Sequence, residues 1–254
     1  MQRYYPIIFL LVYLFSCTES PFQKKEQRLF QELNAEETGV FFENKLKEDL
    51  NHNIIKYLYF YNGGGVGIGD LNNDGLPDLF FTSNMSENRL YINKGNWKFE
   101  DVSIEAGITG RGSWSTGVSI ADINNDGWLD IYVCNVSGHL DFKGRNELFL
   151  NNGDGTFDES ATKYGLDFSG YSTQAAFFDY DLDGDLDCYL LNHSIHTIRS
   201  YGKSEIRNER DANAGDILFE NKQGYFVDVS EKAGIFGGSV GYGLEVGISD
   251  INND

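Results

Sequence analysis

Basic side chains are few in this chain. Lys and Arg together number 20 against 39 Asp and Glu, a formal net charge of -19 over 254 residues. Nucleic-acid phosphates need basic partners, so this balance argues against a nucleic-acid ligand. Cysteine is scarcer, at 3 residues, which leaves packing rather than a disulfide framework to hold the fold. Cys134 and Cys188 fall in apolar runs and read as buried free thiols. No apolar run is long enough to span a bilayer. There is also no nucleophile elbow and no phosphate-binding loop.

What is abundant is aromatic residues (15%), glycine (29 residues) and aspartate placed at fixed offsets. Aromatic content with many glycines fits short strands and tight turns. The aspartates recur in one stretch. Its first copy runs from Asp70 through Asn72, Asp74 and Gly75 to Asp78. The second runs from Asp122 through Asn124, Asp126 and Gly127 to Asp130, and the third from Asp179 through Asp181, Asp183 and Gly184 to Asp187. A fourth starts with Asp250, Asn252 and Asp254, where the sequence stops.

Side-chain oxygens thus stand at positions 1, 3, 5 and 9. The backbone carbonyl at position 7 (Leu76, Trp128, Asp185) and water would complete the six to eight oxygens that a hard cation takes. Calcium is expected ahead of magnesium. Glycine at position 6 permits the tight turn. Without an ion the clustered carboxylates would repel one another. The alternative is a set of Asx-rich turns, which explains one copy better than three. An EF-hand is excluded, because position 12 is Phe81, Val133 or Leu190 rather than Glu, and a strand-like run follows each loop.

Around the loops the pattern is a period of two. Val66 and Ile68, Val118 and Ile120, Ala175 and Phe177, and Val246 and Ile248 alternate with Gly67, Ser119, Ala176 and Gly247. Such alternation means a strand, with small residues where strands crowd together. A first strand is expected before each loop, at residues 65–69, 117–121, 174–178 and 245–249. A second follows the loop. A third comes at 88–92, 146–150 and 216–219, and a fourth at 98–102, 157–160 and 226–229. Units of four strands, spaced 52, 57 and 71 residues apart (70 to 122, 122 to 179, 179 to 250), read as blades of an all-β propeller. Three blades, at about 65–110, 117–168 and 174–237, and the start of a fourth at 240–254 do not close a ring. The chain reads as an incomplete gene product on this count. Before the blades, a short helix is expected within 27–37, a strand at 39–46 that could complete the last blade of a longer chain, and another strand at 54–61.

These motifs, with Asn-x-Leu-Tyr/Phe-x-Asn-x-Gly and Phe-x-Asp-Val-Ser-x-x-Ala-Gly-Ile, resemble the FG-GAP-like, or VCBS, repeats of integrin-alpha-type propellers over roughly 63–254. The resemblance implies calcium on the loop residues named above, and seven blades in the full protein. The N-terminus is also informative. Arg3, the apolar run Ile7 to Phe15, and Leu14-Phe15-Ser16-Cys17 resemble a bacterial lipoprotein signal over 1–16, with Cys17 as the lipid-bearing first residue. An ordinary secretory signal is the alternative. Residues 17–38 would then be a tether with the short helix, ahead of a propeller over 39–254. The whole is similar to surface lipoproteins of Bacteroidetes-type bacteria that carry an ASPIC/UnbV (cartilage acidic protein-like) domain, which implies an outer-membrane or cell-surface location.

A ligand face is expected at the end opposite the loops, where connections between strands two and three vary in length. The third connection carries Arg199, Lys203, Arg207 and Arg210. Trp114, Tyr171 and Tyr242 stand eight residues before successive loops. They would either face a protein or glycan ligand or pack between blades. His193 and His196 lack a clear third ligand for zinc. A binding or adhesion module without catalysis is the first reading. A surface polysaccharide-processing enzyme with catalytic residues on the long loops is the second.

Overall fold

The computed structural model describes residues 29–108, 114–195, 209–249 and 251. Two compact units divide the chain, Met1–Leu33 and Asn34–Asp254. Of the first, only 29–33 are described, with Leu29 and Phe30 exposed. The expected signal over 1–16 and Cys17 lie outside the described residues.

The second unit is all-β. Three four-stranded antiparallel sheets follow one another, each with its strands in sequence order. The first holds β1 (Val66–Gly69), β2 (Asp78–Phe81), β3 (Arg89–Asn93) and β4 (Phe99–Asp101). The second holds β5 (Trp114–Ala121), β6 (Asp130–Val136), β7 (Glu147–Asn151) and β8 (Phe157–Glu159). The third holds β9 (Ser172–Phe178), β10 (Asp187–Asn192), β11 (Ile217–Asn221) and β12 (Phe226–Asp228). This is the blade arrangement of a propeller.

The sheets stack through two apolar layers. Phe80, Leu90, Ile131 and Phe149 meet between the first and second blades. Tyr132, Leu148, Leu190 and Phe219 meet between the second and third. Each fully buried Leu, Ile or Phe contributes roughly 1.5–3 kcal/mol relative to exposure. Strand β6 is buried at every position because both of its faces are covered.

The inner strands approach closely, as the small residues require. A Cβ at Gly67 would stand 2.8 Å from Ile120 Cδ1. Ser119 Oγ donates to the Ala175 carbonyl at 2.6 Å, and the Thr82 and Thr116 hydroxyls donate to the Thr116 and Ser172 carbonyls of the next blade. Hydroxyls therefore satisfy backbone acceptors between blades that have no ladder partner there.

Four expected elements differ. The helix is a single turn, α1 (Ala35–Thr38), capped by the Asn34 side chain at the Glu37 N–H and ended by Gly39 at φ 83. Residues 39–46 pair with no strand among the described residues. They run along the first blade, where Phe42 stacks on Phe81 at 4.8 Å and Asn44 bonds Ser83 and Asn84. Residues 54–61 form consecutive turns, because Asn53 Oδ1 accepts from the Ile55 and Lys56 N–H groups and so offers the backbone an alternative to a ladder. Residues 245–249 are in no strand among the described residues. A one-turn helix not anticipated, α2 (Ala161–Tyr164), closes the second blade and ends at Gly165 with φ 76.

Candidate functional site

Each Asp-rich loop joins the first strand of a blade to its second, so all three emerge at one end. The loops share one hydrogen-bond frame. At position 1, Asp70 accepts from the N–H groups of Asp74 (3.1 Å) and Gly75 (2.8 Å). Asp122 does the same with Asp126 and Gly127, and Asp179 with Asp183 and Gly184. At position 5, Asp74, Asp126 and Asp183 accept from the N–H of position 7. The glycines adopt φ of 86, 90 and 95, and position 4 is also left-handed, at Asn73 (56), Asn125 (58) and Leu182 (62). Two left-handed residues curl each loop so that its oxygens converge.

The position-9 aspartates are the anchors. Asp78, Asp130 and Asp187 have no exposed surface. Asp78 accepts from the Leu71 and Asn93 N–H groups, both at 2.8 Å. Asp130 accepts from Ile123 and Asn151, and Asp187 from Tyr180 and Asn221. Burial raises the Asp78 carboxyl above the usual range and pushes Asp130 up to about 6, against the pull of those two N–H groups.

The third loop departs from the other two. Asn72 and Asn124 each donate an amide hydrogen to the position-5 carboxylate, at 3.0 and 2.8 Å. Asp181 has no such hydrogen when ionised. Carboxylate oxygens of Asp179, Asp181 and Asp187 can lie within 4.8 Å of one another. Asp185 Oδ1 is buried without a hydrogen-bond partner. Burial, then Asp183 and Asp187, push the Asp185 carboxyl up to about 6, and Asp181 is raised by burial and by the same two neighbours. All these donors are oxygens, which fits a hard cation. Asp250, Asn252 and Asp254 of the fourth copy lie outside the described residues.

Strand three supplies residues that the loop motif did not single out. Asn93, Asn151 and Asn221 lend their N–H to the anchor aspartates. Their amides reach back to the carbonyl of position 8, at Pro77, Leu129 and Leu186. Asn151 also donates to Leu71 O of the preceding loop at 2.7 Å. The signal was present: Asn93 and Asn151 are the second Asn of the repeated Asn-x-Leu-Tyr/Phe-x-Asn-x-Gly motif, and Asn221 is their equivalent in the third copy, which begins with Asp216. The position-7 side chains Leu76 and Trp128 lie over the turn glycines Gly95 and Gly153; a Cβ at Gly153 would stand 2.8 Å from the Trp128 ring.

At the opposite end, residues 49–63 bind all three blades. Asn84 Nδ2 donates to the Gly63 carbonyl. His52 Nε2 pairs with Asp141 at 2.6 Å and its Nδ1 with Asp49, both of which raise the His52 pKa. Tyr57 OH meets His193 Nε2 at 3.0 Å. Tyr57, Tyr59, Phe60, Trp114 and Tyr171 form one buried cluster, and Phe142 stacks on Trp114 at 4.6 Å. Of the three aromatics considered for a ligand face, Trp114 and Tyr171 are thus packed under this segment, at 3% and 7% exposure, and Tyr242 is 41% exposed. Burying large aromatic surface outweighs leaving it to solvent. Arg199, Lys203, Arg207 and His196 lie outside the described residues. Arg210 donates to the Asp216 carbonyl at 2.9 Å and so braces the third blade. Cys134 and Cys188 are buried free thiols whose pKa values burial raises.

Four-stranded antiparallel blades, each opening on an Asp-rich loop, define a repeat protein of the propeller class. Residues 70–133 and 136–190 match the family model described as FG-GAP-like repeat. Cartilage acidic protein 1 of Xenopus tropicalis is 31% identical over 137 residues, covering 52% of this chain and 20% of that protein. The Mus musculus protein of that name is 34% identical over 76 residues, or 30% of this chain and 12% of the relative. The chain spans about a fifth or less of the length of these curated relatives. A solved structure described as an Agrocybe aegerita lectin recognising non-reducing terminal N-acetylglucosamine aligns at TM-score 0.37 and 19% identity, over 64% of this chain and 36% of that one.

Proposed function

We propose that this chain is a calcium-braced, non-catalytic binding or adhesion module for protein or glycan, held at a bacterial outer membrane or cell surface by lipid on Cys17. The observation that carries the calcium reading is the third loop. Three of its carboxylates converge, and the buried Asp185 Oδ1 lacks a partner. Uncompensated carboxylates at such spacing need a counter-charge. Asp179, Asp181, Asp183, Asp187 and the residue-185 backbone carbonyl would hold the ion, and Asp70, Asn72, Asp74, Asp78 and Asp122, Asn124, Asp126, Asp130 would hold its counterparts. The ion would offset part of the loop's negative charge and stiffen the joint between strands one and two.

Binding rather than chemistry is favoured by what occupies the reactive groups. The loop carboxylates are committed to one another and to backbone N–H groups, and both described thiols are buried and held protonated. His193 is buried against Tyr57. No helix among the described residues is long and apolar enough to cross a membrane. Attachment would rest on the acyl chains at Cys17, of which two or more give stable anchoring.

The test is calcium titration by calorimetry on the full chain, with thermal melting in calcium and in chelator. One ion per complete loop is expected. Each would stabilise the fold by about 2.7 kcal/mol at a hundredfold excess over Kd. No heat and an unchanged melt would refute the calcium reading. For the anchor, a Cys17→Ser variant should move from the membrane fraction to the soluble one.

A further inference from the structure

The sequence contains two Asn-Gly pairs, Asn62-Gly63 and Asn152-Gly153. Such a pair carries a latent reaction. The glycine nitrogen can attack the asparagine side-chain carbon within the same stretch of chain, because glycine brings no Cβ to obstruct the approach. Both asparagines are exposed, so access to water does not separate them. Their hydrogen bonds and packing do.

Asn152-Gly153 is locked. The Gly153 N–H donates to Asn151 Oδ1 at 3.0 Å, and Asn152 Nδ2 donates to Thr156 Oγ1 at 3.1 Å. The Asn152 N–H donates to the Thr156 carbonyl at 3.0 Å. The Trp128 ring lies against Gly153, so close that a Cβ there would stand 2.8 Å from it. The attacking nitrogen and the attacked amide are each tied to another partner.

Asn62-Gly63 is the reverse. Among the described residues, neither the Asn62 side chain nor the Gly63 N–H has a hydrogen-bond partner. Gly63 holds φ 84, and a Cβ built on it would meet nothing within 4 Å. Tight packing begins one residue later, where a Cβ on Gly64 would strike the Thr82 carbonyl. The pair is thus an unconstrained joint between the 49–62 turns and β1.

We propose that Asn62 is a site of spontaneous deamidation, from which the fold protects Asn152. The Gly63 nitrogen bonds to Asn62 Cγ, the Cγ–Nδ2 bond breaks, and ammonia leaves with the proton that the Gly63 nitrogen gives up. Water then opens the cyclic succinimide at either of its carbonyls, giving aspartate or isoaspartate. The net change is amide and water to acid and ammonia, with nothing oxidised or reduced. Each product alters its surroundings. Asn62 and Glu245 line one cavity of about 400 Å3 beneath the 49–62 turns, so the new carboxylate adds its charge to that of Glu245. Isoaspartate also lengthens the backbone by a carbon just before the tightly packed Gly64, beside the Gly63 carbonyl that accepts from Asn84 Nδ2 at 3.1 Å.

The test ages the full chain in mildly alkaline buffer and follows the peptides carrying Asn62 and Asn152 by mass spectrometry. Labelling by an isoaspartate methyltransferase identifies the rearranged product. Asn62 is expected to convert about thirtyfold faster than Asn152, since two hydrogen bonds must open before Gly153 can attack. In concentrated urea, which removes the fold, that difference should largely vanish. Thr156→Val, which releases the Asn152 amide, should speed conversion at Asn152 about fivefold, with a melting curve to check that the variant folds. Equal rates at the two sites in the native chain overturn the proposal. So does a difference that persists unchanged in urea, because the neighbouring sequence and not the fold would then set it.

Discussion

Replacing Asn151 by alanine should uncouple the first two Asp-rich loops, and the repeat itself supplies the controls. The Asn151 amide is 4% exposed. It donates to Leu71 O at 2.7 Å and Leu129 O at 3.1 Å, and accepts from the Gly153 N–H at 3.0 Å. Its equivalents Asn93 and Asn221 make the two bonds within their own blades, to Pro77 O and from Gly95 N–H, and to Leu186 O and from Gly224 N–H. Among the three, Asn151 is the one with a described bond to the preceding loop. At about 1 kcal/mol per bond, with a further penalty for carbonyls left buried and unpaired, Asn151→Ala should cost roughly 3–4 kcal/mol and the other two alanines roughly 2 kcal/mol each. For a chain of this size that separates the melting temperatures by about 2–8 °C. The assay is urea unfolding of all three variants in chelator, repeated in calcium. Equal losses in the three would refute the reasoning, because the bond to Leu71 O would then contribute nothing to coupling the blades.

The remaining expectations concern single groups. His193 has a pKa lowered to about 4 by burial, so the unfolded chain takes up its proton first as the pH falls from 6.5 towards 4. Stability should drop across that window by up to about 3 kcal/mol, and His193→Gln should flatten the melting profile there by one proton's worth of slope. His52 has the opposite sign. Its pKa is raised by Asp141 and Asp49, so its contribution is present below the ordinary histidine value and lost as the pH rises through the elevated one. Asp141→Asn should erase part of that pH dependence in melting curves, and an unchanged profile would remove the pair from consideration. Leu182 holds φ 62 at the loop position where the other copies place Asn73 and Asn125, and it is 78% exposed. Leu182→Asn should therefore stabilise the chain by about 1 kcal/mol in denaturant unfolding, and a loss of stability would contradict the strain assigned to it.

The blades were legible because each carries its own evidence. Alternating apolar residues, the Asp-rich turn and the returning Asn recur three times, and a repeated offset is hard to produce without a repeated structure. The strands were found to within a few residues. The segment before the blades has no such redundancy. Residues 54–61 contain the β-favouring types Ile and Tyr, yet Asn53 turns the backbone and tertiary contacts claim Tyr57 and Phe60. Residues 39–46 resemble a fourth strand in composition, but extended chain becomes a strand only where an edge accepts its hydrogen bonds.

The sequence by itself determined the periodic frame: four strands per unit, oxygens at positions 1, 3, 5 and 9 of each loop, small residues where inner strands meet, and two thiols set in apolar runs. These are local properties, set by spacing and by which backbone angles glycine and asparagine allow. Tertiary structure alone decided which side of each aromatic faces protein. Trp114 and Tyr171 are buried because residues some 50 and 110 positions earlier in the chain fold over them, and no spacing within a blade encodes that. It also decided that Asn151 bonds the loop before it, that Asp185 Oδ1 is left without a partner, and that a cavity opens beneath the 49–62 turns. Each depends on where separate blades come to rest against one another, which is settled by packing over the whole assembly of sheets rather than by any one stretch of chain.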